Sequence, residues 1–334
     1  MNGAAIRIGT RASLLATTQS EQVAALIRER LGRGTELVEV STEGDRTQAA
    51  GTPLEQAGGT GVFVSALRDA LLAGRVDVAV HSLKDLPTAR ADGIALAAVP
   101  LREDPRDVVV ARDGLTLGEL PVGSKVGTGS PRRVAQVEAL GLGLDLVGVR
   151  GNVDTRIAKV RSGEYDAVLL ARAGLARIGR LEEVTEVLDP FQVLPAPGQG
   201  ALAVECRADD DLVAALVALD DPSSRAAVEA ERAVLATLEG GCSAPIGALA
   251  EVVEGEDGEE LWVRAVALSR DGVLSVRMSA TGDPRDAAGV GTRLAEEMLA
   301  DGAGDLDAGP DAGLSVGPSA GSPAGPETDR VHDA

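Results

Sequence analysis

Leu194-Pro195-Ala196-Pro197-Gly198-Gln199-Gly200, followed by Ala201-Leu202-Ala203-Val204-Glu205, is the stretch that decides the fold of this chain. The Pro/Gly-rich heptapeptide reads as a crossing segment, because such residues punctuate regular structure. The five residues after it are strand-like again. A strand that returns after a complete second unit predicts two domains joined by paired crossovers, with a cleft between them.

Upstream of the crossing, strand-like and helix-like segments alternate, the pattern of α/β domains with a largely parallel sheet. In the first unit Ile6 to Gly9, Glu36 to Val40, Val76 to Val80 and Ile94 to Val99 read as strands. Leu14 to Leu31 and Val62 to Ala73 read as helices. The second unit begins near Asp104, with strands at Asp107 to Ala111, Lys125 to Gly127, Leu144 to Val149 and Tyr165 to Leu170. Its helices are Arg132 to Leu140 and Val153 to Ser162. Downstream, the helix Ser224 to Leu238, strands at Gly247 to Val253, Glu260 to Leu268 and Val273 to Ser279, and a helix from Pro284 to Leu299 make an α+β pattern. Beyond Asp301 the chain has almost nothing apolar to bury, and the expectation is disorder.

The 334 residues suffice for two or three domains, and a 44% hydrophobic, 25% charged composition describes an ordinary globular protein. Aromatics make up only 1%, so the cores must be built from Ala, Val and Leu. A net charge of −20 argues against a nucleic-acid partner, which needs a basic face. Two cysteines form no disulfide framework, no segment reaches membrane-spanning length, and the N-terminus lacks an apolar signal core. A cytoplasmic protein is expected. Two histidines and two distant cysteines give no zinc spacing, so no metal is expected.

Against this acidic background the arginines at strand-to-helix junctions need a reason. In Val126-Gly127-Thr128-Gly129-Ser130-Pro131-Arg132-Arg133 a strand ends, small residues expose backbone N–H groups, and a helix begins. Arg132 and Arg133 there oppose the helix dipole, which costs stability unless an anion lies between them. Val149-Arg150-Gly151-Asn152-Val153-Asp154-Thr155-Arg156 repeats the arrangement with Asn152 as N-cap, and Gly9-Thr10-Arg11-Ala12-Ser13 supplies a third. Arginine forks fit carboxylates bidentately, so the three junctions point to a cleft for a ligand with several negative charges. Lys84 and Asp85, in His81-Ser82-Leu83-Lys84-Asp85, follow a buried strand at its carboxyl end, where open α/β sheets bind ligands; a surface ion pair is the alternative.

One thiol also stands out. Gly240-Gly241-Cys242-Ser243-Ala244-Pro245 sets Cys242 after two glycines that leave its backbone unshielded, with Pro245 stiffening the exit. The thiol belongs at the tip of a helix-to-strand turn, where it could carry something; a small buried hydrophobe is the other reading.

These segments together resemble porphobilinogen deaminase, also called hydroxymethylbilane synthase. The matching runs are IRIGTRAS, GGTGVFVSAL, AVHSLKDLPT, VGTGSPRR, VRGNVDTR, YDAVLLARAGLAR, LPAPGQGALAVECR and GGCSAPIGA, in order from Ile6 to Ala248. The resemblance implies an α/β protein of three domains: two type II periplasmic-binding-protein-like domains around a cleft, and a small α+β C-terminal domain. Their expected limits are 1–100 with 199–218, then 101–198, then 219–301, with a disordered tail over 302–334. It implies a transferase of tetrapyrrole (heme) biosynthesis with a covalent dipyrromethane cofactor, one per chain, held by a thioether to Cys242. Four porphobilinogen molecules are joined head to tail with release of ammonia, and hydrolysis frees linear hydroxymethylbilane.

By the same resemblance Asp85 is the catalytic carboxylate, stabilising the azafulvenium cation left when ammonia departs. Arg11, Arg132, Arg133, Arg150, Arg156 and Arg177, assisted by Ser13, Lys84 and Ser130, match positions that bind acetate and propionate side chains. Phe63 and Gln199 match positions near the cofactor and at the crossing, and His81 is read as structural, hydrogen-bonding across the cleft. A monomer is expected. Two departures stand out: Thr60 replaces a common Lys, removing one carboxylate contact from the expected mobile loop between Gly44 and Gly61, and Pro131 replaces an aliphatic residue at a helix start. The rival readings explain less. A non-catalytic binding protein leaves Cys242 idle, as does a lyase or transferase without a covalent cofactor, and a thiol hydrolase lacks a base, since His81 is the only histidine outside the tail.

Overall fold

The structure, a computed structural model, describes residues 4–40, 61–239, 244–255 and 258–306. The expected mobile loop, Thr60, Cys242 and the chain after 306 lie outside these, as does the side chain of Phe63.

β1 (Ile6–Thr10) leads into α1 (Leu14–Leu31), which Ser13 caps, its Oγ accepting from the Ala16 amide at 3.3 Å. β2 (Thr35–Glu39) pairs parallel with β1; after α2 (Gly61–Leu72) the chain returns as β3 (Val78–Ser82), parallel to β1 on its other side. The first sheet has the order β2-β1-β3-β10-β4, with β4 (Ile94–Ala98) at the edge and β10 (Leu202–Arg207) antiparallel to both neighbours.

The second sheet is built from β5 (Asp107–Ala111), β6 (Lys125–Gly127), β7 (Asp145–Val147), β8 (Ala167–Ala171) and β9 (Glu186–Val187). Its helices are α3 (Pro131–Glu138), α4 (Val153–Arg161) and α5 (Arg172–Arg177). The order β7-β6-β8-β5-β9 repeats that of the first sheet, and β5 is again antiparallel to its neighbours. In both sheets the fourth place belongs to the strand that follows a crossing. The two α/β domains therefore exchange chain twice, through 99–106 and 188–201, as the returning strand predicts.

The two crossings lie against each other. Gln199 Nε2 donates to Pro105 O at 2.7 Å, Arg102 Nε donates to Gln199 O at 2.8 Å, and the Glu103 amide donates to Gly200 O at 3.2 Å. Gly198 (φ 75°) and Gly200 (φ 88°) are left-handed, and a Cβ would overlap the Leu83 side chain at the first and the Glu103 carbonyl at the second. Both glycines are thus demanded by approach as well as by conformation.

After α6 (Leu212–Leu216), the C-terminal domain packs α7 (Pro222–Glu239) and α8 (Ala287–Ala300) on one face of an antiparallel sheet. Its strands are β11 (Ile246–Gly255), β12 (Gly258–Leu268) and β13 (Ser275–Gly282). The core is small-residue and aliphatic, with Ala227, Ala230, Val234 and Leu238 of α7 against Ala248, Leu261, Val263 and Leu294. Ala303 and Leu306 are buried in that core, so the folded chain runs through Leu306 and does not stop at Asp301. The three short elements β9, α5 and α6 add to what the sequence patterns predict.

Candidate active site

Lys84 and Asp85 lie in a single 3-10 turn, Leu83–Asp85, directly after β3. Lys84 Nζ donates to Gln199 Oε1 at 3.1 Å, which ties this turn to the second crossing. Lys84 keeps surface exposed to water. Desolvation, with the charges of Arg133 and Arg132, outweighs the pull of Asp85 and Asp107 and brings its pKa down to about 8. Asp85 is half-buried.

Ser130 is the N-cap of α3, its Oγ accepting from the Arg133 amide at 3.4 Å, and Arg132 and Arg133 in the first turn are each 6% exposed. The anion that their position requires is present, and it is the chain's own Asp107. Arg133 donates to Asp107 Oδ1 from Nε (3.1 Å) and Nη2 (2.7 Å), and from Nη1 to Leu169 O at 2.9 Å. Arg132 Nη2 lies 2.8 Å from Asp107 Oδ2, an ion pair without hydrogen-bond alignment, and its Nη1 donates to Leu194 O. Gln199 Nε2 donates to Asp107 Oδ1 at 2.7 Å. Burial alone would raise the Asp107 pKa, but the two guanidinium charges and these hydrogen bonds hold it well below the usual carboxylate range. Both arginines are engaged with Asp107 inside the protein, and Arg132 Nε is buried without a hydrogen-bond partner.

Two of the other expected cations, Arg156 and Arg177, lie near this cluster. Asn152 caps α4, accepting from the Thr155 amide at 2.9 Å, and Arg156 on that helix donates from Nε to Gly151 O at 2.9 Å. Desolvation first, and the nearby Arg133 charge second, lower the Arg156 pKa. Arg177 ends α5 and donates from Nη2 to Gly200 O at 2.7 Å; desolvation, opposed by Glu103, brings it to about 10. Arg11 is half-buried in the turn before α1, with Ser13 as the cap, and Arg150 is exposed in the loop before α4.

The reading of His81 is corrected. It belongs to β3, and its Nε2 lies 3.3 Å from Glu205 Oε2 on the adjacent β10, within one sheet rather than across the cleft. Arg68 of α2 grips the same carboxylate from Nε (3.0 Å) and Nη2 (2.6 Å). Burial would raise the Glu205 pKa; the His81 and Arg68 interactions outweigh it and draw the value down to about 2.

Two further residues escaped the sequence reading. Glu231 on α7 is fully buried and takes Arg102 on both oxygens (2.7 and 3.0 Å), the Gly198 amide (2.6 Å) and the Ala250 amide (2.8 Å). One carboxylate thus holds both crossings and the C-terminal sheet. Its signal is a charge on an apolar helix face, four residues after Ala227 and three before Val234. Arg232 next to it donates to Leu86 O (3.1 Å) and Pro87 O (2.6 Å), and Thr88 Oγ1 donates to Glu239 Oε2 at 3.0 Å. The helix that precedes Cys242 in the chain is fastened in this way to the turn that follows Asp85.

Three cations, Lys84, Arg132 and Arg133, meet two carboxylates, Asp85 and Asp107, with Arg156 beside them. Fold and site define a three-domain protein, two α/β domains about a cleft and a C-terminal domain, whose cationic crossing suits a ligand with several carboxylates. The chain belongs to the porphobilinogen deaminase family. Residues 6–215 match the family model described as "Porphobilinogen deaminase, dipyromethane cofactor binding domain", and residues 225–300 match "Porphobilinogen deaminase, C-terminal domain". The chain is 59% identical to a porphobilinogen deaminase of Mycobacterium bovis over 310 residues, 90% of this chain and 98% of that protein. It is 58% identical to porphobilinogen deaminase 1 of Streptomyces avermitilis over 321 residues, 92% and 98% of the two chains. A putative methionine-binding lipoprotein from Bacillus subtilis aligns over 65% of this chain and 90% of its own, at 14% identity and a TM-score of 0.40.

The residues present fit a dipyrromethane. Such a group carries four carboxylates, and this cleft offers an excess of cations together with a buried, partnerless donor at Arg132 Nε.

Proposed function

We propose that this chain condenses four porphobilinogen molecules head to tail into hydroxymethylbilane, with Asp85 as the catalytic carboxylate and Cys242 as the point of cofactor attachment. The observation that carries this reading is the meeting of Lys84, Arg132 and Arg133 with Gln199 at the crossing, beside the Asp85 turn. A dipyrromethane bound as a thioether to Cys242 supplies the pyrrole end on which the product is built.

The chain's own residues do the rest. Lys84, Arg156, Arg177, Arg11 and Arg150, with Ser13 and Ser130, neutralise the acetate and propionate groups, and Arg132 contributes through its spare Nε. Porphobilinogen loses ammonia when its aminomethyl C–N bond breaks, and the cation left is delocalised onto the pyrrole N–H. The Asp85 carboxylate faces that N–H, stabilises the positive charge and takes up the proton released when the new carbon–carbon bond has formed. Lys84, its neighbour in the same 3-10 turn, sets a positive charge beside that carboxylate. Phe63 supports the cofactor, and Gln199 keeps the turn and crossing together. Solvent-exposed acidic surface accords with a cytoplasmic monomer without a nucleic-acid partner, and among the described residues no helix is long and apolar enough to cross a membrane.

The test is Asp85→Ala, with released ammonia and product measured side by side. The fold should survive while turnover falls by about 10²–10⁴-fold, the range for loss of one acid–base group. Wild-type-like turnover would remove Asp85 from the mechanism.

A further inference from the structure

We infer that Tyr165, the one tyrosine of the chain, is a positioning residue for the Arg150 loop. The inference rests on the reading that Arg150 binds ligand carboxylates. Tyr165 is buried, at 6% exposure, just before β8. Its hydroxyl donates to Gly148 O at 2.9 Å, two residues before Arg150. Val149, between them, is buried in the same apolar cluster as the Tyr165 ring. The ring also bears on Gly127, where a Cβ would lie 2.9 Å from Tyr165 Cδ1, so no side chain is tolerated at the last residue of β6. Gly127 opens the Thr128-Gly129-Ser130 turn that caps α3, and a Cβ on Gly129 would lie 3.3 Å from Val149 O. One aromatic side chain therefore sets the spacing of two adjacent loops, one leading to Arg132 and Arg133, the other carrying Arg150.

The ring is itself fixed. Lys125 Nζ stands 4.5 Å and Lys159 Nζ 5.4 Å from its centroid, and Lys159 is held by Glu164 at 2.6 Å. Two of the three lysines in the chain are spent on this one side chain. A core aromatic serving packing alone would need no hydroxyl aimed at a loop carbonyl, and phenylalanine would serve. The hydroxyl is the part that acts on the loop.

The experiment is a double-mutant cycle of Tyr165→Phe and Arg150→Leu, measuring kcat and KM for porphobilinogen and Tm for all four proteins. Tyr165→Phe keeps the ring and its packing, so its Tm stays within about 3 °C of wild type. Its KM should rise about five-fold, the worth of one hydrogen bond, with kcat nearly unchanged. In the Arg150→Leu background the same substitution should have no further effect on KM. Unchanged KM in Tyr165→Phe, with a raised KM in Arg150→Leu, overturns the positioning role and leaves the arginine reading standing. Independent, multiplying effects overturn it as well. A normal KM in Arg150→Leu overturns the arginine reading, and the positioning role with it.

Discussion

Replacing Asp107 by Asn is the perturbation whose size follows most directly from the structure. The carboxylate is fully buried and neutralises two guanidinium groups that are themselves 6% exposed. Asparagine preserves the shape but turns one oxygen into a donor. In one orientation its NH₂ faces Arg132; in the other it faces Arg133 and Gln199. Either way a buried cation meets a donor, and Lys84 loses a charge that holds its proton. Breaking a buried pair from one side costs about 3–5 kcal/mol, because the partner stays buried and uncompensated. Part of the cost should be recoverable from outside, since an anion that reaches the two uncompensated guanidinium groups stabilises the fold by mass action, about 2.7 kcal/mol at a hundred times its Kd. Urea unfolding followed by far-UV circular dichroism is the appropriate assay. Fluorescence of the single tryptophan, Trp262 on β12, would report on the C-terminal sheet. Phosphate should stabilise Asp107→Asn more than wild type. A loss below about 1 kcal/mol, with no difference in the phosphate response, would refute the assignment of Asp107 as the internal counter-ion.

Two pH effects follow, one from this cluster and one from the His81–Glu205–Arg68 cluster. Lys84 is cationic below about 8 and neutral above it, so KM for porphobilinogen should climb as pH passes through about 8, and Lys84→Arg should move that climb out of range; a flat KM in wild type between pH 7 and 9 would contradict the role. Glu205 has its folded pKa drawn from 4.5 down to about 2, so the folded state gains about 3 kcal/mol above pH 4.5, lost progressively as pH falls towards 2. Glu205→Gln should flatten that acid limb of the stability curve, and an unaltered limb would show that the His81–Glu205–Arg68 cluster contributes nothing there.

The layout of the molecule was legible because it rests on short-range rules. Alternating strands and helices, a Pro/Gly crossing and capping residues such as Ser13, Ser130 and Asn152 act within a few residues of one another. α1 begins and ends at the expected residues, Leu14 and Leu31. Strand ends shifted by one to three residues where pairing, rather than composition, sets the limit: the strand expected over Leu144 to Val149 pairs only over Asp145–Val147. The site was legible as residue types and illegible as partners. That Arg132 and Arg133 sit at a helix start requiring an anion could be read locally. That Asp107, 25 residues before Arg132, supplies it could not, since nothing in Asp107-Val108-Val109-Val110 marks the carboxylate as buried. Glu231 and His81 were obscured for the same reason, because their partners come from other strands and from both crossings.

The central claim is that Cys242 carries a dipyrromethane and that the cationic cleft holds it. Intact mass of the purified wild-type chain beside Cys242→Ser tests it most directly, each before and after incubation with porphobilinogen. Wild type alone should be heavier than its sequence by two linked pyrrole units, and Cys242→Ser should stay at its sequence mass throughout. A wild-type chain that remains at its sequence mass even after incubation would show that Cys242 carries no such group.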